Sequence, residues 1–299
     1  MNIMKKSPLK THEFYRERVN SQLNLFLSSI QSTSSSKNRL NDIMKYSALA
    51  GGKRFRPILT YTVASLYNIP IQKVDSCACA IELIHIYSLI HDDLPAMDDD
   101  DIRHNQPTSH KVFGEAQAIL SGDGLQALAF QVICNDSGLN DETKVKLLSL
   151  LSESSYKMAE GQSIDLSIVS QKVDIDILNE MHQKKTGALL SCAINFGAIL
   201  NDTSDKDLSV LEVFSNKIGL AYQVQDDVLD VTTSDNILGK RQNSDSTKNK
   251  PSYPSIIGID ESIKIFKELY QDALDELSLL SVDASPLRKI TRELLSRSY

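Results

Sequence analysis

Residues 74–94 read VDSCACAIELIHIYSLIHDDL. Apolar side chains fall on nearly every face of a 3.6-residue repeat, which predicts a helix at the centre of a bundle rather than on its surface. Helical periodicity continues on both sides. EFYRERVNSQLNLFLSSI (13–30) sets Phe14, Val19, Leu23, Phe26, Leu27 and Ile30 on an amphipathic, slightly irregular stripe. QSTSSSKN (31–38) is a polar linker of turn and cap formers. A helix from about Asn41 to Ala50 stops at Gly51-Gly52, and RPILTYTVASLYN resumes with Pro57 in a first turn. Further helices are predicted over about 115–134, 141–161, 174–200, 205–232, 252–280 and 284–298. No alternating apolar–polar run carries the turn signals of a strand, and 12 Gly with 8 Pro in 299 residues argue against a turn-rich β fold. The expectation is an all-α chain, one large helical bundle forming a single domain over 1–299.

The net charge of −7 disfavours nucleic acid as a partner of the whole surface. No apolar run approaches the ~18–20 residues of a membrane span, and the N-terminal lysines are followed by no apolar stretch of a secretory signal. A cytoplasmic protein with no membrane span is expected. Cys77, Cys79, Cys134 and Cys192 match no zinc spacing and lie in apolar helical runs, as buried reduced thiols do. One segment departs from the helical pattern. Residues 232–255 are polar, hold two prolines and carry Lys240, Arg241, Lys248 and Lys250; a loop of that length is usually functional or disordered.

Two acidic clusters end apolar helical runs. HDDLPAMDDDD (91–101) has the form DDxxxxD through Asp92, Asp93 and Asp98, and QDDVLD (225–230) has the form DDxxD through Asp226, Asp227 and Asp230. Asp226 and Asp230 are one turn apart on one helix face. On a regular helix Asp92 and Asp98 would point apart by ~240°, but Pro95 should kink or end the helix and swing Asp98 back. Carboxylates without His or Cys favour a hard cation, Mg²⁺ or Mn²⁺, and such ions are commonly shared with phosphate oxygens. The bland alternative for either cluster is a solvated helix cap. Basic groups suited to a diphosphate are present: Lys53, Arg54 and Arg56 in GGKRFRP, Arg103 after the first cluster, Lys184 and Lys185 before Thr186-Gly187, and Lys240 and Lys250 in the long loop.

GGKRFRP, IHIYSLIHDDLPAMDDDDIRHNQPTSH, KKTGALL and AYQVQDDVLDV with LGKRQ occur in that order. Together they resemble the bacterial short-chain trans-prenyl diphosphate synthases, the farnesyl diphosphate branch above all, across about residues 40–255. The resemblance implies an isoprenoid-synthase bundle, expected as a homodimer. Its implied reaction joins isopentenyl diphosphate to dimethylallyl or geranyl diphosphate, releasing pyrophosphate with Mg²⁺, three ions with the bound diphosphate. It implies Asp92, Asp98 and Asp226 as metal ligands, with Asp93 and Asp230 as further ligands or their supports. Arg103, Lys185 and Lys240 would hold the allylic diphosphate. Thr186 and Gln223 would flank the developing cation, and Lys250 would belong to a loop that closes over the site. Lys53, Arg56 and His85 match the isopentenyl diphosphate site, although His85 alone would read as a core histidine. Gln162 and Asp165 in EGQSIDL match a family glutamine and a supporting polar partner.

The family usually has two adjacent arginines after the first acidic motif, where this chain has Arg103 and His104. The expectation is weaker isopentenyl diphosphate binding that strengthens as His104 protonates. Tyr87 and Ser88, five and four residues before Asp92, would line the floor of the product pocket and stop growth at fifteen carbons; Tyr87 as plain core packing is the competing reading. Geranyl or geranylgeranyl products, a terpene cyclase and a non-catalytic subunit are the rival readings. GGKRFRP argues against the cyclase, and the two intact acidic motifs against the subunit.

Overall fold

The computed structural model describes residues 8–30, 39–201, 203–232 and 250–296. Its elements are helices α1 (Pro8–Ser29), α2 (Arg39–Ala48), α3 (Phe55–Leu66), α4 (Asp75–Asp92), α5 (Ser109–Phe113), α6 (Glu115–Cys134), α7 (Asp141–Ser167) and α8 (Ile175–His182). A π turn (Gln183–Gly187) leads into α9 (Ala188–Ile199), followed by α10 (Asp205–Thr232), α11 (Tyr253–Ile257), α12 (Ile259–Glu276) and α13 (Ser285–Leu295). The all-α expectation holds. Strands β1 (Ile102–Arg103) and β2 (Gln106–Pro107) form a two-residue antiparallel hairpin, too short to leave an alternation in the sequence. The chain divides into two compact units, Met1–Leu148 and Ser149–Tyr299.

In the first unit α4 is the central helix, packed most extensively on α6 and also on α3 and α1. Residues 71–92 are long and apolar enough to cross a membrane, contrary to the expected absence of any such stretch, yet 78% of the apolar window is buried, as in a core helix. The core also holds charge. Arg54, left-handed at φ 52° and 4% exposed, donates to Glu82 Oε1 at 2.8 Å, Asn20 Oδ1 at 2.8 Å and the Ala48 carbonyl at 2.6 Å. Removing one partner of such a buried pair typically costs about 3–5 kcal/mol, because the other charge is stranded. Arg54 is therefore the arginine of GGKRFRP that ties α1, α2 and α4 together.

In the second unit α10 packs most extensively on α12 and also on α9. One stripe of α12 supplies Phe266, Tyr270, Ala273 and Leu274, and the Tyr270 hydroxyl donates to Gln225 Oε1 at 3.0 Å. The helix expected over 252–280 is broken at Gly258, whose φ of 87° suits a residue without a Cβ. The helix expected over 174–200 contains the π turn. All four cysteines are free; Cys77, Cys79 and Cys192 are buried, but Cys134, at the end of α6, is exposed, against expectation. Burial pushes the Cys77 thiol up to about 12.

Candidate active site

The first acidic motif is built where α4 ends. The helix stops at Asp92, three residues before Pro95, and Asp93 forms its C-cap. The chain then folds back. The Met97 amide donates to the Leu94 carbonyl at 2.9 Å, and the Asp98 amide donates to the Asp92 carbonyl at 2.8 Å. A six-residue separation that a continuous helix would splay is thus closed into one turn, and Asp92 and Asp98 are both partly buried. Asp93 is 3% exposed, and its Oδ1 accepts from Arg103 Nε at 2.7 Å and Nη2 at 2.6 Å. Burial pushes its carboxyl up, and Arg103 only partly offsets the rise. Asp99, Asp101 and His110 place their ligand atoms within 4.8 Å of one another, a grouping the sequence reading did not single out. Lys111 pairs with Asp101 at 2.6 Å, and both carboxylates are exposed.

Basic groups gather beside the same helix. The imidazole of His85 is held well below its ordinary range by burial and then by the charges of Arg56, Arg103, Arg54 and His104. Arg56, Arg103 and His104 thus all act on the charge of His85. Lys53 is exposed on the turn made by Gly51 (φ 109°) and Gly52 (φ 111°). His104, itself at φ 51°, lies over Gly52, where a Cβ would stand 3.5 Å from its Nε2. Desolvation, Arg103 and Arg54 hold its imidazole below the usual range, and Lys53 adds to the effect.

Tyr87 is 8% exposed and sits edge-on to His91, with ring centroids 5.7 Å apart. The His91 ring rests on Gly122 of α6, where a Cβ would come within 2.2 Å of Nε2. The Ser88 hydroxyl donates to the His85 carbonyl at 2.8 Å, within its own helix. A cavity of about 640 Å³ elsewhere in this unit, lined by Gln22, Phe26, Asp75, Leu128 and Asp136 among others, includes none of the motif residues.

The second acidic motif lies on an unbroken helix. α10 runs through 226–230, with Asp226 partly exposed and Asp227 and Asp230 buried. Asp227 Oδ2 accepts the Tyr253 amide at 2.9 Å, anchoring the start of α11, and lies 3.3 Å from His182 Nε2. Gln223 Nε2 is 3.4 Å from His182 Nδ1. The Tyr253 hydroxyl donates to Asn179 Oδ1. The sequence reading missed His182; its one signal was a position one helical turn before Thr186.

The π turn separates the two adjacent lysines. Lys184 pairs with Glu180 at 2.7 Å and Glu160 at 2.9 Å. Lys185 Nζ instead donates to Asp165 Oδ2 at 2.7 Å, and Lys250 Nζ donates to the same oxygen at 2.8 Å. Burial alone would raise the Asp165 carboxyl, but the two ammonium groups hold it below the ordinary carboxylate range. Thr186 is 8% exposed. Gln162, next to Gly161 on α7, is 9% exposed with neither amide atom hydrogen-bonded. Lys240 lies outside the described residues.

Residues 37–280 match the polyprenyl synthetase family. The chain belongs to the polyprenyl synthetase family. It is 41% identical to the farnesyl diphosphate synthase of Escherichia coli over 265 residues, covering 86% of this chain and 89% of that one. It is 40% identical to the chloroplastic geranylgeranyl pyrophosphate synthase of Catharanthus roseus over 83% of this chain and 71% of that one. Among solved structures, a geranyltransferase from Legionella pneumophila superposes with a TM-score of 0.86 at 33% identity, covering 97% of this chain and 96% of that one. A geranyltransferase from Helicobacter pylori, complexed with magnesium and isoprenyl diphosphate, gives 0.82 at 29% identity over 95% of this chain and 96% of that one. The DDxxxxD motif of this chain lies at the end of α4, and its DDxxD motif lies on α10.

Proposed function

We propose that this polyprenyl synthetase condenses isopentenyl diphosphate with dimethylallyl or geranyl diphosphate, giving (2E,6E)-farnesyl diphosphate and pyrophosphate. The observation that carries this reading is the presence of both aspartate motifs together with two separate basic sets. One set, Arg56, His85 and Arg103 with Lys53 and His104, serves isopentenyl diphosphate; Arg103 also reaches the allylic diphosphate. The other, Lys185 and Lys250 with Lys240, serves the allylic diphosphate. A reaction that joins two diphosphates needs both.

Oxygen-only donors fit a hard cation, and the closed turn from Asp92 to Asp98 suits the first motif to it. We assign Asp92 and Asp98, and on the second motif Asp226, as Mg²⁺ ligands, with three ions in the loaded enzyme; Mn²⁺ is the alternative. When bound there, Mg²⁺ would supply positive charge against the departing diphosphate. The chain's own groups do the rest. Lys185 and Lys250 hold the diphosphate oxygens by charge, and Thr186 and Gln223 offer uncharged oxygens that steady a cation without capturing it. Gln162 keeps an unsatisfied buried amide for a polar group of the substrate. Asp93 and Asp230, both buried, serve as further ligands or support the ligating aspartates. Tyr87, held edge-on to His91, floors the product pocket, with Ser88 on the same wall. The chain acts as one synthase domain, in a cytoplasmic homodimer; Ile119 and Leu120 on α6 are exposed apolar residues that a second copy would cover.

Product chromatography after incubation with Mg²⁺, isopentenyl diphosphate and geranyl diphosphate tests this. A fifteen-carbon diphosphate as end product supports the whole reading. A twenty-carbon product keeps the reaction and discards Tyr87 as the floor, and no elongation contradicts it.

A further inference from the structure

We propose that Gly161 and Asp165, one turn apart on α7, are positioning residues that set the π turn carrying Lys185 and Thr186 and draw Lys250 to it. The proposal rests on the prenyltransferase reading for its catalytic consequence, and on geometry alone for the positioning itself.

A Cβ at Gly161 would fall 2.2 Å from the Lys185 amide nitrogen, 2.6 Å from its Cα and 2.8 Å from the Lys184 carbonyl carbon. These are backbone atoms inside a hydrogen-bonded turn and cannot rotate away as the tip of a side chain could. Any side chain at 161 must therefore move the turn itself. The opposite wall is also glycine: a Cβ at Gly219 of α10 would stand 3.1 Å from Gly187 Cα. The π turn is seated between two residues that have no side chain, and its backbone lies closer to α7 than any other residue type permits.

One turn further along α7, on the same face, Asp165 fixes what the turn presents. A single oxygen, Oδ2, accepts from Lys185 and from Lys250, which are 65 positions apart in the chain. Two ammonium groups brought together without that carboxylate would repel each other in a poorly hydrated place, since the Asp165 side chain is only 5% exposed. With it they form a compact group of net charge +1, already assembled before an anion arrives. Such preorganisation lowers the ordering needed at the moment of reaction, and a displacement of about 1 Å in a positioning group can lower a rate on the order of 100-fold. The neighbouring Lys184 pairs with Glu160 and Glu180 instead and serves as an internal control.

The test compares wild type, Asp165→Asn and Gly161→Ala. Brief acetylation with acetic anhydride, read by peptide mass spectrometry, should label Lys185 and Lys250 at least about threefold faster in Asp165→Asn, with Lys184 unchanged, because each loses a charge-assisted partner. The same variant should raise KM for the allylic diphosphate about tenfold and leave KM for isopentenyl diphosphate unchanged. Gly161→Ala should lower kcat about 10–100-fold with helical circular dichroism retained. Unchanged labelling of Lys185 and Lys250 in Asp165→Asn overturns the proposal, as does wild-type kcat in a folded Gly161→Ala. If Gly161→Ala does not fold, the Asp165→Asn labelling decides. If wild type makes no prenyl product, the functional reading fails, while the labelling still decides the positioning.

Discussion

The two aspartate motifs reach a similar division of labour by different backbone routes. In the first, the helix ends and the chain folds back until the Asp98 amide meets the Asp92 carbonyl. In the second, α10 continues and regular helical spacing aligns Asp226 with Asp230. In both, the second aspartate of the pair is buried and engaged by protein: Asp93 by Arg103, Asp227 by the Tyr253 amide and His182. The comparison teaches that a DD pair need not be two metal ligands. The second carboxylate of each pair is held by the scaffold, Asp93 through Arg103 and Asp227 through the Tyr253 amide.

The largest expected effects separate these two classes. Asp92→Asn and Asp226→Asn should each lower kcat/KM on the order of 10³-fold, as loss of a principal electrostatic stabiliser does, with thermal midpoints within about 2 °C of wild type. A midpoint that falls with activity in these variants would merge the classes. Asp227→Ala should instead lose about 2–4 kcal/mol of stability, read by urea unfolding, since it leaves the Tyr253 amide and the buried His182 without their acceptor. Asp93→Ala should lose less, because its partner Arg103 keeps 30% of its side chain exposed and can be solvated. Equal losses would show that the two buried aspartates are equivalent after all.

Smaller effects sharpen the picture of the first unit. His104→Arg should lower KM for isopentenyl diphosphate about threefold at pH 7.5, by adding a fixed charge to the group around Arg56 and Arg103. The His104 imidazole is held below its ordinary range, so it is neutral at that pH and gains charge only as pH falls. The wild-type KM should therefore approach that of the variant on acidification, the variant serving as control for titration of the substrate itself. KM values for wild type and variant that diverge with falling pH would contradict this sign. Tyr87→Ala should shift part of the product to twenty carbons, seen by chromatography; an unchanged product would return Tyr87 to plain packing against His91.

The helices were legible because burial imposes periodicity: α4 announced itself as apolar on nearly all faces, and α10 as a stripe ending in carboxylates. The fold-back after Asp92 was legible through Pro95, since a proline limits what the backbone before it can do. Other features were not. The π turn leaves the 174–200 pattern helical, because one widened turn does not change which residues are apolar. The break at Gly258 needed knowledge of the φ angle. Arg54 read like its neighbours Lys53 and Arg56, because sequence alone does not reveal that its left-handed backbone points it into the core towards Glu82. His182 was invisible as a partner of Asp227, since 45 positions separate them.

The most direct test of the account is activity as a function of Mg²⁺ concentration, measured side by side for Asp226→Asn and Asp227→Asn at a temperature where both are folded. Asp226→Asn should need at least about tenfold more Mg²⁺ for half-maximal rate, or never reach it, while Asp227→Asn should keep the wild-type Mg²⁺ dependence with a reduced thermal midpoint. A raised Mg²⁺ requirement in Asp227→Asn with none in Asp226→Asn would contradict it.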